Sequence, residues 1–296
     1  MKPAHTSTQL MTNTEQQKTK DDMVLTDLYI YPVKSLGGIR VTEAVVEPRG
    51  LRHDRRWLIV DAQNRFMTQR QTTAMANLKV TPAYNGFLLS HQQRPELLPL
   101  YVPFEATPEK TLFVTVWDDM VFAWRARPEC DEWLTEALGQ PCKLVYMSDM
   151  VRRDTEPALN PEGQLVSFAD AYPFLLIGQA SLADLNGRLA EPVGMERFRP
   201  NLVFSGGEAF AEDNWDRFQI GELAFRAVRG CGRCVLTTIN PATARKSPLG
   251  EPLRTLAAYR TEDGSAMFGQ NVTSGSRGRL RVGELVAVAS HKTPVA

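Results

Sequence analysis

From Val24 onward, short runs of apolar or alternating residues are separated by turn-forming residues, a periodicity that predicts strands. In the first half these runs include Val24 to Tyr31, Arg56 to Val60, Phe66 to Thr68, Leu78 to Ser90 and Thr111 to Trp124. Asn85-Gly86 predicts a type I′ hairpin turn, whose two central positions both need positive φ. Asp118-Asp119 predicts a second hairpin. Short strands at regular spacing point to a barrel or sandwich more than to alternating strand–helix–strand units. The best helix of this half is Glu129 to Leu138, with Trp133, Leu134, Ala137 and Leu138 on one face, Pro128 near its start and Gly139 placed to end it.

The polar, proline-bearing stretch 148–165 predicts a linker or surface loop, which divides the chain into domains at 23–147 and 148–296. Beyond it, Phe174 to Ile177 reads as a buried strand and Leu202 to Phe204 as another. Ser181 with Asp184 resembles a capping box for a helix carrying Leu182, Leu185 and Leu189. Ile220-Gly221-Glu222-Leu223 and Val282-Gly283-Glu284-Leu285 are near copies that suggest two similar entries into strands. The expected fold class is therefore α+β and predominantly β. Residues 1–22 are polar without apolar periodicity and predict a disordered tail, and Met23 is a candidate translation start.

Composition narrows the classes of function. A chain of 296 residues buries a core without needing disulfides or a structural metal. The 34 basic and 34 acidic side chains cancel, which argues against a general nucleic-acid or membrane-surface binder but leaves room for a local basic pocket. No run approaches the ~20 apolar residues of a bilayer-spanning helix. Four cysteines without a cleavable apolar leader fit a cytoplasmic protein.

Cys231-Gly232-Arg233-Cys234 sets two thiols and a permanent positive charge beside the β-branched run Val235 to Ile239, which reads as a strand. A guanidinium lowers the cost of holding a thiolate, so either sulfur is a candidate metal or sulfur ligand. Half of a zinc site, a thioredoxin-like dithiol and simple core packing are the other readings of this pair. Cys130 and Cys142 read as buried small hydrophobes.

Basic residues recur beside turns, in Pro32-Val33-Lys34-Ser35, Asp54-Arg55 and Phe198-Arg199-Pro200-Asn201. Lysine followed by serine offers a phosphate an ammonium, a hydroxyl and a backbone N–H, and arginine engages two oxygens at once. Exposed charge with surface ion pairing is the plainer account of each alone. Asp170 lies among Phe168, Ala169, Ala171 and Tyr172, surroundings that predict a raised carboxyl pKa and a part in proton transfer, with a loop-capping role as the alternative.

Together these segments resemble the MOSC family, in particular two-part members of the type of the mitochondrial amidoxime-reducing components and their bacterial relatives. The resemblance rests on Tyr31 to Ser35, Asp54 to Trp57, Ala180 to Asn186, Phe198 to Asn201, Cys231 to Thr238 and Phe268 to Asn271, in that order along the chain. It implies an N-terminal β-barrel region packed on a MOSC β-barrel domain with a few helices, and a molybdenum cofactor with Cys234 as its protein ligand. Lys34, Ser35, Arg55, Arg199, Asn201, Arg233, Thr237 and Asn271 match positions that hold the cofactor's phosphate and pterin, and Gly232 contributes backbone. Cys231 is a neighbour without a ligand role. Asp170, or water held by it, is the candidate proton donor.

The activity this implies is reduction of N-hydroxylated compounds: hydroxylaminopurines, amidoximes and hydroxamic acids. A C-terminal extension with a cysteine cluster is not found, so a separate iron–sulfur protein or flavoprotein is expected to supply electrons. The apolar anchor of the mitochondrial members is also missing from the N-terminal residues, and no membrane or nucleic-acid partner is expected. The alternative within the family is a carrier of cofactor or sulfur that does not turn over small substrates.

Overall fold

The computed structural model describes residues 22–107, 109–155 and 164–293. The predicted tail, apart from Asp22, and residues 156–163 of the predicted linker lie outside them. The fold is mostly β, as the alternating pattern predicts. A nine-stranded sheet forms its centre, running in space through Val286–His291, Trp215–Ile220, Leu223–Gly232, Ser265–Thr273, Phe174–Gly178, Leu202–Ser205, Val24–Ile30 and Ile39–Val41, with Thr261–Glu262 paired to Ser265–Thr273 at the side. Strands from both halves of the chain therefore share one sheet. Val24–Ile30 pairs antiparallel with Leu202–Ser205, while Phe174–Gly178 pairs parallel with that same strand.

The first half adds two smaller sheets. Trp57–Asp61, Cys142–Tyr146, Asp119–Arg125 and Lys110–Val116 form one, and Leu78–Ala83, Gly86–His91 and Leu100–Pro103 the other. Both predicted hairpins exist with their turns one residue earlier. Ala83 pairs with Gly86, so Tyr84-Asn85 makes the first turn, and only Asn85 has positive φ, at 50°. Val116 pairs with Asp119, so Trp117-Asp118 makes the second, with Trp117 at φ 56°. That shift puts an indole at the hairpin tip.

The predicted helix spans Pro128–Leu138. Proline opens its first turn, and Gly139, left-handed at φ 69°, closes it with an N–H to the Thr135 carbonyl. Cys130 and Cys142 are buried, and burial pushes both thiols up to about 11, so they behave as apolar filling. A second helix, Gln179–Asn186, forms without the predicted capping box. Ser181 Oγ instead donates to the buried Glu212 carboxylate at 2.8 Å and accepts from the Phe210 N–H, because it faces the core and not the helix start.

The near-copy tetrapeptides prove to be neighbours. They lead into the two strands flanking Trp215–Ile220, and the Gly221 N–H donates to the Leu285 carbonyl at 3.0 Å. Under the middle of the large sheet, an apolar cluster of Leu175, Ile177, Leu185, Phe198, Leu256, Ala266 and Phe268 packs with the Phe198 and Phe268 rings 4.3 Å apart. This cluster fixes the segments on either side of it, Phe198-Arg199 and the Cys231 turn, from below.

Candidate active site

A cavity of about 610 Å³, the size of an ordinary small-ligand site, opens where the large sheet meets the loops of the first half. Every residue singled out from the sequence lines it: Lys34, Ser35, Arg55, Asp170, Arg199, Asn201, Gly232, Arg233, Cys234, Thr237 and Asn271. Six cationic side chains face it against three carboxylates. The zero net charge of the chain conceals this local excess.

Backbone pairing brings the first-half residues in. The Lys34 N–H donates to the Trp57 carbonyl at 2.8 Å, the Arg55 N–H to the Tyr31 carbonyl at 2.7 Å and the Trp57 N–H to the Pro32 carbonyl at 2.9 Å. Ser35, Arg55 and Arg199 hold φ of 72°, 50° and 57°, a left-handed conformation that non-glycine residues avoid. Strain of roughly 1 kcal/mol or more at each persists only where the surroundings fix it. With Asp263 at φ 46°, four of the ten such residues among those described line this one cavity.

Arg55 and Arg199 both lie over the Tyr31 ring, each 4.4 Å from its centroid. Arg55 is neutralised by the buried Asp54 at 2.5 Å, whose other oxygen accepts the Tyr31 N–H. Arg199 donates to the Leu36 carbonyl and, among the described residues, forms no ion pair with a carboxylate. Burial and the neighbouring Arg55 push its pKa down to about 10. An uncompensated guanidinium in such a place is costly until an anion arrives.

The neutral residues brace these cations. Asn201 Oδ1 accepts from Arg55 at 3.0 Å and from the Leu175 N–H at 3.2 Å, while its Nδ2 donates to the Tyr29 carbonyl. Asn271 donates to the Gly230 carbonyl at 3.1 Å. Ser35 Oγ accepts from the Gln69 N–H at 3.0 Å.

Around the cysteines the structure departs from the predicted strand. The strand Leu223–Gly232 ends before Cys234, and Val235–Thr238 forms a 3₁₀ turn with Cys234 at its N-terminal cap. The Cys234 carbonyl accepts both the N–H and the hydroxyl of Thr237, at 3.1 and 3.0 Å, so threonines chosen for a strand close a turn instead. Arg233 donates to Cys231 Sγ at 3.0 Å and to the Phe198 carbonyl at 2.6 Å, and its buried Nε has no partner. That orphaned donor beside the thiols fits an absent anionic ligand. Among the described residues no cluster of three or more His, Cys, Asp or Glu can hold a metal by itself, so the further ligands of a zinc site are not found among them. The 3₁₀ turn also lacks the helix and βαβ setting that a thioredoxin-like dithiol needs.

Asp170 requires a correction. Its surroundings predict a raised pKa, and burial does push that way, but Lys34 at 2.5 Å, then Arg70, and the Trp117 indole N–H at 3.2 Å outweigh burial and hold the carboxyl well below the usual range. The apolar neighbours in sequence are not the neighbours in space. Lys34 is pushed down to about 8, chiefly by burial, with Asp170 opposing. Of the pair, Lys34 is the member that can change protonation near neutral pH.

Sequence reasoning missed Arg70 and Trp117. Arg70 Nη1 stands 3.9 Å from Cys234 Sγ, its Nη2 3.8 Å from Asp170 Oδ2, and its guanidinium 4.5 Å from the Trp117 ring centroid. The single sequence signal was a cation beside Thr68-Gln69, of the same kind as the other basic segments.

Two family models match the chain. Residues 22–141 match the MOSC N-terminal beta barrel domain and residues 163–287 the MOSC domain. The chain is 34% identical over 277 residues to mitochondrial amidoxime-reducing component 1 of Homo sapiens, covering 88% of this chain and 81% of that protein. It is 33% identical over 291 residues to the Xenopus laevis protein of that name, covering 91% and 83%. Molybdenum cofactor sulfurase of Solanum lycopersicum is 32% identical over 285 residues, which cover 88% of this chain and 35% of that protein.

Proposed function

The chain belongs to the MOSC family, with the N-terminal barrel and MOSC domains in succession, and we propose that it is a molybdenum cofactor-dependent reductase of N-hydroxylated compounds. Hydroxylaminopurines, amidoximes and hydroxamic acids are the substrate classes. The overall change is R–NHOH plus two electrons and two protons to R–NH₂ plus water. A separate iron–sulfur protein or flavoprotein donates the electrons. The observation that carries this reading is one cavity that joins a cysteine sulfur to several guanidinium groups, of which Arg199 forms no ion pair among the described residues and Arg233 keeps a buried Nε without a partner.

Cys234 is the protein ligand, a soft donor suited to a thiolate-bound metal. Lys34, Arg55, Arg199 and Arg233 would hold the cofactor's phosphate and pterin together with Ser35, Asn201, Thr237 and Asn271, which also brace those cations and the Cys234 turn. Bound there, the cofactor supplies a two-electron centre for N–O cleavage. Asp170 stays ionised and orients the Lys34 ammonium, so the proton delivered to the leaving oxygen resides on the pair and not on the carboxyl alone. The domains divide at 147/148. Free thiols at all four cysteines suit the cytoplasm, and among the described residues no helix is long and apolar enough to cross a membrane.

The test uses protein made in a host that synthesises the cofactor. It should contain molybdenum and oxidise a reduced dye only when an N-hydroxylated compound is added, and Cys234→Ala should do neither. Molybdenum-free wild-type protein from that host would refute the proposal. The match to a molybdenum cofactor sulfurase favours one other reading, a carrier of cofactor or sulfur. Under it, bound molybdenum is found but the dye stays reduced with every substrate.

A further inference from the structure

Arg70 lines the cavity from the first half of the chain. It reaches from the loop after Met67 across the cavity to the opposite half of the chain, where one guanidinium nitrogen lies 3.9 Å from Cys234 Sγ and another 3.8 Å from Asp170 Oδ2. Trp117, at the tip of the hairpin, fixes both ends of this arrangement. Its ring lies under the guanidinium at 4.5 Å, and its indole N–H donates to Asp170 Oδ1. The tip residue holds φ 56° to do so, and Phe66 packs against it at 5.0 Å. Arginine suits the position, because its flat face stacks on an indole while its edge presents several N–H groups to two different anions.

We propose that Arg70 is a positioning residue of the site: it balances negative charge on the Cys234 sulfur and sets the Lys34–Asp170 pair at a fixed place relative to that sulfur. Three of the other lining cations are engaged elsewhere. Lys34 is engaged by Asp170 and the Phe168 carbonyl, Arg55 by Asp54, and Arg233 by Cys231 and the Phe198 carbonyl. Arg70 touches both the candidate ligand and the candidate proton-handling pair with one side chain. The proposal about charge at Cys234 stands on geometry. Its consequence for turnover rests on the reductase reading.

The test separates the two. In cofactor-free, full-length protein carrying Cys231→Ser, the remaining partly exposed thiol is Cys234, since Cys130 and Cys142 are buried. Alkylation rates with anionic iodoacetate and neutral iodoacetamide are compared at one pH. Their ratio cancels thiol ionisation and nucleophilicity and leaves the attraction of the site for an anion. Arg70→Ala should lower that ratio about fivefold, as loss of a neighbouring charge in a partly wet site does, while Arg70→Lys should retain most of it. In the loaded enzyme, Arg70→Ala should lower kcat at least about tenfold with KM and molybdenum content unchanged, and Arg70→Lys should recover part of the loss.

An unchanged alkylation ratio overturns the charge-balancing role, and an unchanged kcat overturns the positioning role. Loss of molybdenum from Arg70→Ala overturns the proposal in favour of cofactor retention. A lowered ratio in a chain that never acquires molybdenum sinks the reductase reading and leaves the electrostatic role of Arg70 intact.

Discussion

Lys34 and Asp170 are 136 residues apart in sequence and 2.5 Å apart in space, and their ion pair joins the first half of the chain to the loop that precedes the buried strand Phe174–Gly178. Charge on this pair therefore reports on how the halves cooperate in holding an anion.

The first prediction follows from the Lys34 pKa. An ammonium pushed down to about 8 is charged at pH 7 and loses its proton as pH rises through that value. Pyrophosphate, taken as a probe of the anion site in cofactor-free protein, should bind roughly tenfold more weakly at pH 9 than at pH 7, the size expected for losing a charge-assisted hydrogen bond. Lys34→Gln should bind weakly at both values and flatten the profile. Calorimetric titration of both proteins checks this, and an equally steep profile in the variant would exclude Lys34 as the titrating group.

Asp170→Asn should shift the profile where Lys34→Gln flattens it. With the carboxylate gone, burial and the neighbouring Arg153 and Arg55 are no longer opposed, so the Lys34 pKa falls further. The midpoint of the pyrophosphate profile should move to lower pH by about one unit or more. A midpoint that stays in place would show that the ion pair does not govern the lysine.

Much of the fold was legible where local chemistry decides it. Pro128 and Gly139 bracket their helix as read, and alternation located most of the strands, although the run Phe66 to Thr68 holds only an isolated bridge at Phe66. The errors have a common cause. Val235 to Ile239 carries strand propensity, but the Cys234 carbonyl and the Thr237 hydroxyl close a turn there. Ser181 has the spacing of a cap, yet Glu212, 31 residues away, takes its hydroxyl. Asp170 was judged by its sequence neighbours, whereas Lys34, Arg70 and Trp117 set its charge from more than 50 residues away. The cysteine segment and the basic turns could be found individually. That they surround one cavity follows from the crossing of both halves into one sheet, which local patterns do not record.

Asn201 tests the division between groups that bind and groups that brace. Its amide serves Arg55, the Leu175 N–H and the Tyr29 carbonyl in a buried setting. Asn201→Ala should lower unfolding stability by about 2–3 kcal/mol, because it strands buried partners and removes their hydrogen bonds. Arg199→Met, which removes a half-buried charge that forms no ion pair among the described residues, should leave stability unchanged or raise it while abolishing pyrophosphate binding. Urea titrations of the two variants beside calorimetry distinguish the roles. If Asn201→Ala were as stable as wild type, its bonds would have to be weaker than their geometry indicates.

Gly269 gives the last prediction. It lies in the strand Ser265–Thr273, two residues before Asn271, and holds φ 79° where a side chain is strained. A Cβ there would sit 2.6 Å from Ile177 Cγ1 and 2.8 Å from the Leu176 carbonyl oxygen. The isoleucine can shift by rotation, but the carbonyl belongs to the neighbouring strand Phe174–Gly178, which pairs with this strand through Leu176 and Gln270. Relief therefore means moving one strand against the other. Strain and overpacking together put the cost of Gly269→Ala at roughly 2–4 kcal/mol. The Asn271 contact to Gly230 should loosen with it, so the variant should lose cofactor sooner than Asn201→Ala at equal residual stability. Equilibrium unfolding with molybdenum analysis on the same preparations measures both quantities, and a variant with wild-type stability would mean that the strands tolerate a closer approach than this packing allows.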